Sequence, residues 1–228
     1  MPRFLALIPA GGRGTRFASV TAKPKQYLPL GRRTMLEHAL DALLAEPRIE
    51  AVLIVTAPAD PYAHAIAWPA RVRLAAVGGD SRAESVRNGL RELAAAPDDW
   101  VLVHDAARPC LAAPELSRLL DEAGADAIGG LLALPVADTV KRADGNRVAA
   151  TIDRQGLWRA QTPQMFRAGV LARALALATT LHDVTDEAAA VERLGYAPLL
   201  VPGAETNLKV TTAADRSIAA AILKARRK

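Results

Sequence analysis

A single cysteine, Cys110, stands in the whole chain of 228 residues, which excludes an intramolecular disulfide and any metal site built from several thiolates. Aromatic residues are scarce at 4%, so a hydrophobic content of 51% must build its core from Ala, Val, Leu and Ile. Long apolar runs are missing. The N-terminal one covers only Phe4 to Ile8 before Pro9, too short for a signal-peptide core and far below the roughly 18 residues of a membrane span. We therefore expect a soluble, cytoplasmic protein with no membrane partner. No charge sign dominates either: 29 Lys and Arg stand against 24 Asp and Glu, a net +5. Part of that excess is the terminal run Lys224-Ala225-Arg226-Arg227-Lys228, and no aromatic residue interleaves it. It reads as a solvated helix end, so no nucleic-acid partner is expected. Repeats and low-complexity linkers are absent, and the length suits a single domain over residues 1–228.

What is present begins at the N-terminus. The strand-like run Phe4-Leu5-Ala6-Leu7-Ile8 breaks at Pro9 into Ala10-Gly11-Gly12-Arg13-Gly14-Thr15-Arg16, followed by Lys23-Pro24-Lys25-Gln26-Tyr27. Glycines at 11, 12 and 14 leave the backbone bare enough for amide N–H groups to face a phosphate, and Arg16 and Lys25 add full positive charge. Two familiar loops are excluded by spacing. No Lys-Ser or Lys-Thr follows the glycines as a Walker loop requires, and the third position of a dinucleotide fingerprint falls on Phe17. A plain glycine-rich turn with solvated bases would explain the glycines alone. The two cations just beyond favour a nucleoside triphosphate site.

Short apolar runs at 51–56, 74–77, 101–103 and 127–134 read as buried strands, and helices fit residues 34–45, 81–95 and 113–123. This alternation predicts an α/β fold, a Rossmann-like, mostly parallel sheet with helices on both faces. After Pro135 the pattern changes. Residues 139–143, the turn Asp144-Gly145-Asn146 and residues 147–152 alternate as a β-hairpin too polar to bury on its own domain. It is expected to project as an arm, spanning residues 136–158, that needs a partner. Helices at 167–178 and 186–194, a strand at 197–201 and a last helix at 213–225 complete the expected elements.

Asp105 follows the strand at 101–103 and so lies where ligands of open α/β sheets bind. A carboxylate beside a polyphosphate is a natural anchor for Mg²⁺, although a turn Asp would look the same. His104 reads as structural, because Mg²⁺ prefers oxygen. In Gly78-Gly79-Asp80-Ser81-Arg82-Ala83-Glu84-Ser85, a Ser81/Glu84 capping box explains two residues, while the paired glycines point to close backbone approach, for instance to a base. Lys209 lies at the start of a short β-like run, where a lone lysine reads first as solvated; Arg154 lies just past the hairpin, within reach of a second anion; and Thr185-Asp186-Glu187 reads as a helix start.

Taken together, these residues resemble the 2-C-methyl-D-erythritol 4-phosphate cytidylyltransferase family. The match runs through residues 9–16, Pro24-Lys25-Gln26-Tyr27, residues 78–86, 103–109, 135–142 and 153–158, Thr162-Pro163-Gln164, residues 185–188 and 207–211. One departure is a slightly longer stretch at residues 17–23. The resemblance implies CTP and methylerythritol phosphate as substrates, Mg²⁺ as cofactor, and in-line attack of the acceptor phosphate on the CTP α-phosphorus. It implies that Arg16, Lys25 and Lys209 carry catalysis and that Asp105 binds the metal. Ala10, Gly11, Gly12, Gly14, Gly79, Asp80 and Ser85 would hold CTP, and Arg108, Thr139, Arg154 and Thr185 the acceptor. It also implies a homodimer in which the arm crosses to a neighbouring subunit.

Two other readings compete. A ribitol-phosphate cytidylyltransferase would share the loop and the nucleotide chemistry, but Asp153-Arg154-Gln155-Gly156-Leu157-Trp158 favours methylerythritol phosphate. A nucleotide-binding regulator without turnover would have no need of Lys25, Asp105 and Lys209 together.

Overall fold

The structure is a computed structural model that describes residues 2–12, 23–178, 181 and 184–226. Its centre is β1 (Phe4–Pro9), a strand with no polar face, paired in parallel with β4 (Ile49–Val55) and β6 (Trp100–Val103). Such a strand must be covered on both sides. Ala6 and Ile8 pack with Leu36 and Leu40 of α1 (Met35–Leu44) and Leu116 and Leu119 of α3 (Ala113–Ala125). Leu5 and Leu7 face the other way, onto Val86 and Leu90 of α2 (Arg82–Leu93), Leu171 of α4 (Ala168–Leu177) and Val191 of α5 (Glu187–Glu192). The result is the expected three-layer arrangement.

Among the described residues one sheet has seven strands in the order β11-β7-β10-β6-β1-β4-β5, where β5 is Val72–Ala75, β7 Gly129–Pro135, β10 Trp158–Arg167 and β11 Leu199–Pro202. All run parallel except β10, which is antiparallel to both β6 and β7. The sequence reading placed no strand at 158–167. Pro163 hides it, since proline lacks the ladder donor, and the β10–β7 register shifts between Ala160 and Gln164 to accommodate it. The other expected strands and helices form within a few residues of their expected bounds, and α6 (Ala213–Ala225) matches them fully. The short run around Lys209 is not a strand. It is extended chain tied to the β6 loop by the Val210 amide donating to the Ala107 carbonyl at 2.8 Å.

The arm is present as β8 (Val140–Asp144) and β9 (Arg147–Ile152), a two-stranded sheet separate from the main one. Asp144 pairs with Arg147, which leaves Gly145 and Asn146 as a two-residue turn, with Gly145 at φ 54°. Most of its residues are exposed, Val148 by 65%. A second small ladder joins β2 (Pro29–Leu30) to β3 (Arg33–Thr34), and α6 packs beside it over Leu28, Leu30 and Met35. No helix among the described residues is long and apolar enough to cross a membrane.

Candidate active site

The parallel strands β1, β4, β5 and β6 end on the same side, and the exits of β1, β5 and β6 frame a cleft of about 300 Å³. Gly11, Gly12, Gly79, Asp80 and Ser85 line it with Lys25, Lys209 and Asp105. Three backbone segments meet there almost in contact. A Cβ on Gly78 would meet the Thr56 carbonyl oxygen at 2.7 Å, and one on Gly11 would lie 3.3 Å from the Gly78 Cα. The close approach read from the paired glycines is thus first an approach of protein to protein. The loop is pinned by the Gln26 side chain, whose amide donates to the carbonyls of Ala10 at 2.6 Å and Gly12 at 3.1 Å. The Lys25 ammonium reaches across to the Val210 carbonyl at 3.2 Å, so the loop region and the Lys209 segment face each other.

Only half of the expected Ser81/Glu84 box forms. Ser81 accepts from the Glu84 amide at 3.0 Å, while the Glu84 carboxylate reaches one residue further out, to the Asp80 amide at 2.9 Å. Ser85 in turn accepts from the Gly79 amide at 3.1 Å, which fixes the backbone that lines the cleft.

Asp105 is the electrostatic centre. Its carboxylate is buried and takes the Arg82 guanidinium on one oxygen at 2.8 Å and the Lys209 ammonium on the other at 2.7 Å. Burial alone would raise its pKa, but these cations outweigh burial and hold the carboxyl well below its ordinary range. His104 beside it is fully buried. Its Nε2–H donates to the Arg108 carbonyl at 3.1 Å, a partner that can only accept, so Nδ1 must accept from the Thr162 hydroxyl at 3.0 Å. The Thr162 oxygen then accepts from the Asp105 amide at 3.0 Å. Burial lowers the His104 pKa to about 4, and the ring is a neutral brace, as expected from the sequence.

A second cleft of about 240 Å³ opens on the far side of Asp105, and Arg82, Asp105 and Lys209 line both. Arg108 and Thr185 line this second cleft with Gln161, Thr162, Gln164 and Asp186. Arg108 is buried, its guanidinium donating to the carbonyls of Asn207 at 2.6 Å and Ala160 at 3.3 Å. Thr139 and Arg154 do not line it. Both are exposed at the foot of the arm, where Arg154 donates to the Ala137 carbonyl. Arg16 and Gly14 lie outside the described residues, as does most of the longer stretch at 17–23.

The sequence assigns no role at the site to Arg82 and reads Glu187 only as part of a helix start. Arg82 sits in a motif whose capping residues already had an explanation, and its partner is 105 positions away. Gln164 was equally silent: its amide donates to Asp186 at 2.9 Å and its oxygen accepts from the Ala188 amide at 2.8 Å, joining β10 to α5.

With this geometry in place, comparison with known proteins is decisive. The sequence model of the 2-C-methyl-D-erythritol 4-phosphate cytidylyltransferase family matches residues 4–225. The chain belongs to that family. A cytidylyltransferase of this name from Laribacter hongkongensis is 57% identical over 227 residues, covering 98% of this chain and 97% of its own. One from Dechloromonas aromatica is 54% identical over 233 residues and is covered in full. Among solved structures, a 4-diphosphocytidyl-2C-methyl-D-erythritol synthase aligns with TM-score 0.86 at 45% identity, covering 98% of this chain and 99% of that one. The cytidylyltransferase of Thermus thermophilus aligns with TM-score 0.79 at 31% identity over 96% of this chain and 98% of its own. The chain is therefore an enzyme of the nucleotidyltransferase class.

Proposed function

We propose that this enzyme transfers CMP from CTP to 2-C-methyl-D-erythritol 4-phosphate, giving 4-diphosphocytidyl-2-C-methyl-D-erythritol and pyrophosphate in non-mevalonate isoprenoid precursor synthesis. The observation that carries this, beside family membership, is the meeting of two clefts at Asp105, Arg82 and Lys209. One is lined by glycine backbone and suits a nucleotide. The other holds Arg108 and Thr185 and suits the phosphate of an acceptor.

Cytosine rests against Ala10, Gly11, Gly79, Asp80 and Ser85, with the triphosphate toward Gly12 and Lys25 and, beyond the described residues, Gly14 and Arg16. The acceptor phosphate oxygen attacks the α-phosphorus, an O–P bond forms, and the bond to the β-phosphate breaks so that pyrophosphate leaves with the electron pair. A phosphate monoester has a second pKa of about 6, so the nucleophile is ionised at neutral pH and no general base is needed. Lys25 and Arg16 stabilise charge on the triphosphate, and Lys209 approaches the α-phosphate from the boundary between the clefts. Catalysis then rests on positioning and charge stabilisation.

Magnesium fits this donor set. Among the described residues no cluster of three or more His, Cys, Asp or Glu is placed to hold a metal ion, so an ion would rely on Asp105 and phosphate oxygens, the usual manner of Mg²⁺. Each carboxylate oxygen keeps lone pairs beyond those taken by Arg82 and Lys209. Magnesium bound there supplies neutralisation of the phosphate charge.

Thr139 and Arg154 act in this reading from a neighbouring copy. A homodimer docked through the arm brings them to the second cleft of the other subunit, and the exposure of Val148, Leu157 and Trp158 (65%, 40% and 39%) gives the arm an apolar surface for that contact. The buried free thiol of Cys110 and two highly charged, water-soluble substrates favour the cytoplasm. Pyrophosphate release with CTP and Mg²⁺ tests the whole reading, with methylerythritol 4-phosphate compared against ribitol 5-phosphate. Turnover with the former alone is expected. Turnover with ribitol phosphate alone would overturn the acceptor assignment, and none with either would overturn the enzyme reading.

A further inference from the structure

The two cations on Asp105 are held very differently. Arg82 is anchored at its far end by a bidentate pair with Glu187, at 2.7 and 3.0 Å, and its Nε holds Asp105 at 2.8 Å. Glu187 is buried at 1% exposure, and Arg82 is 27% exposed. Lys209 makes a single ion pair to the other Asp105 oxygen, and its side chain is 42% exposed. A guanidinium fixed as a fork on one carboxylate has little freedom to leave the other, whereas a single ammonium on a flexible stem exchanges partners readily.

We propose that Arg82, anchored by Glu187, is a positioning residue that serves as the fixed counter-charge of Asp105 and so leaves Lys209 free to exchange from Asp105 to the α-phosphate of CTP. A buried carboxylate with one cation resists losing it far more than a carboxylate with two. With Arg82 in place, Lys209 can leave without stranding Asp105. Without it, Asp105 keeps Lys209 for itself, and the nucleotide loses a cation even though Lys209 is untouched. The pair also ties the first turn of α2, beside the nucleotide cleft, to the first turn of α5, beside the acceptor cleft. This inference rests on the cytidylyl-transfer reading.

The test uses full-length enzyme carrying Arg82→Lys or Glu187→Gln, each alone and combined with Asp105→Asn. CTP binding is measured by calorimetry in EDTA, beside thermal melting and the kcat and KM of the single variants. Arg82→Lys is expected to weaken metal-free CTP binding about tenfold and Glu187→Gln about threefold, the range of coupling seen between directly interacting groups. Adding Asp105→Asn removes the charge that captures Lys209 and is expected to restore most of that binding. A merely structural role predicts the opposite, a double variant that melts lower and binds no better. Single variants that bind CTP as the wild type does, or double variants that recover nothing, would overturn the proposal. Should Arg82→Lys fail to fold, the Glu187→Gln pair carries the same comparison. Wild-type enzyme that neither binds nor turns over CTP would instead sink the underlying reading, and the proposal with it.

Discussion

At the scale of single residues, the site separates groups that serve chemistry from groups that serve the fold. In the proposed reading, Lys25 and Lys209 belong to the first kind. Lys25→Ala and Lys209→Ala are each expected to lower kcat by about 10²–10³, the cost of removing one transition-state donor. Their melting temperatures should stay near wild type, because Asp105 retains Arg82 when Lys209 is lost. Steady-state rates beside a thermal melt check this. Gly78 belongs to the second kind. A methyl group there would meet the Thr56 carbonyl at 2.7 Å, so Gly78→Ala should cost about 1–3 kcal/mol of stability, read by urea denaturation. Asp99 gives a pH dependence remote from catalysis. Its hydrogen bonds from Arg3 hold its pKa down at about 2. A depressed carboxylate contributes stability that is complete above its unfolded value, about 3.9, and lost as pH falls through the folded one. The stability difference between wild type and Asp99→Asn should therefore be full at neutral pH and shrink between about pH 4 and about pH 2. A difference that grows on acidification would contradict this.

At the scale of elements, the arm is the part whose role differs most from its surroundings. It shares no ladder with the main sheet, so replacing residues 140–152 by a short Gly-Ser turn should leave the sheet folded. If the proposed homodimer docks through the arm, the same change abolishes both dimer and turnover, which size-exclusion chromatography and pyrophosphate release will report. Elements such as β1, β4 and the hairpin were legible in the sequence because their patterns are local: continuous apolar runs, and alternation around a Gly-Asn turn. The strand β10 was not, because its stability comes from neighbours on both sides while Pro163 marks it as loop. The glycine loop, Lys25 and Asp105 stand out by residue type and place, whereas a lone Lys209 reads as solvated and is singled out only by the family resemblance. The bridge from Arg82 to Glu187 does not stand out, since nothing in either segment announces a partner in the other.

At the scale of the whole molecule, the proposed active site belongs to a pair of chains. Specific activity should fall on dilution while the circular-dichroism spectrum stays constant, and activity independent of concentration down to the monomer would refute the shared site. The reversed direction of β10 has a wider consequence. Because the chain leaves the sheet at the end of β7, makes the arm, and returns antiparallel through β10, one uninterrupted excursion carries Gln161, Thr162 and Gln164 of the second cleft together with Thr139 and Arg154 at the foot of the arm. The proposed nucleotide side draws on the exits of three other strands, β1, β5 and β6. In the proposed reading, part of acceptor preference is thereby packaged in one stretch of chain. Changes confined to that stretch would alter what receives the cytidylyl group and leave the proposed nucleotide cleft untouched.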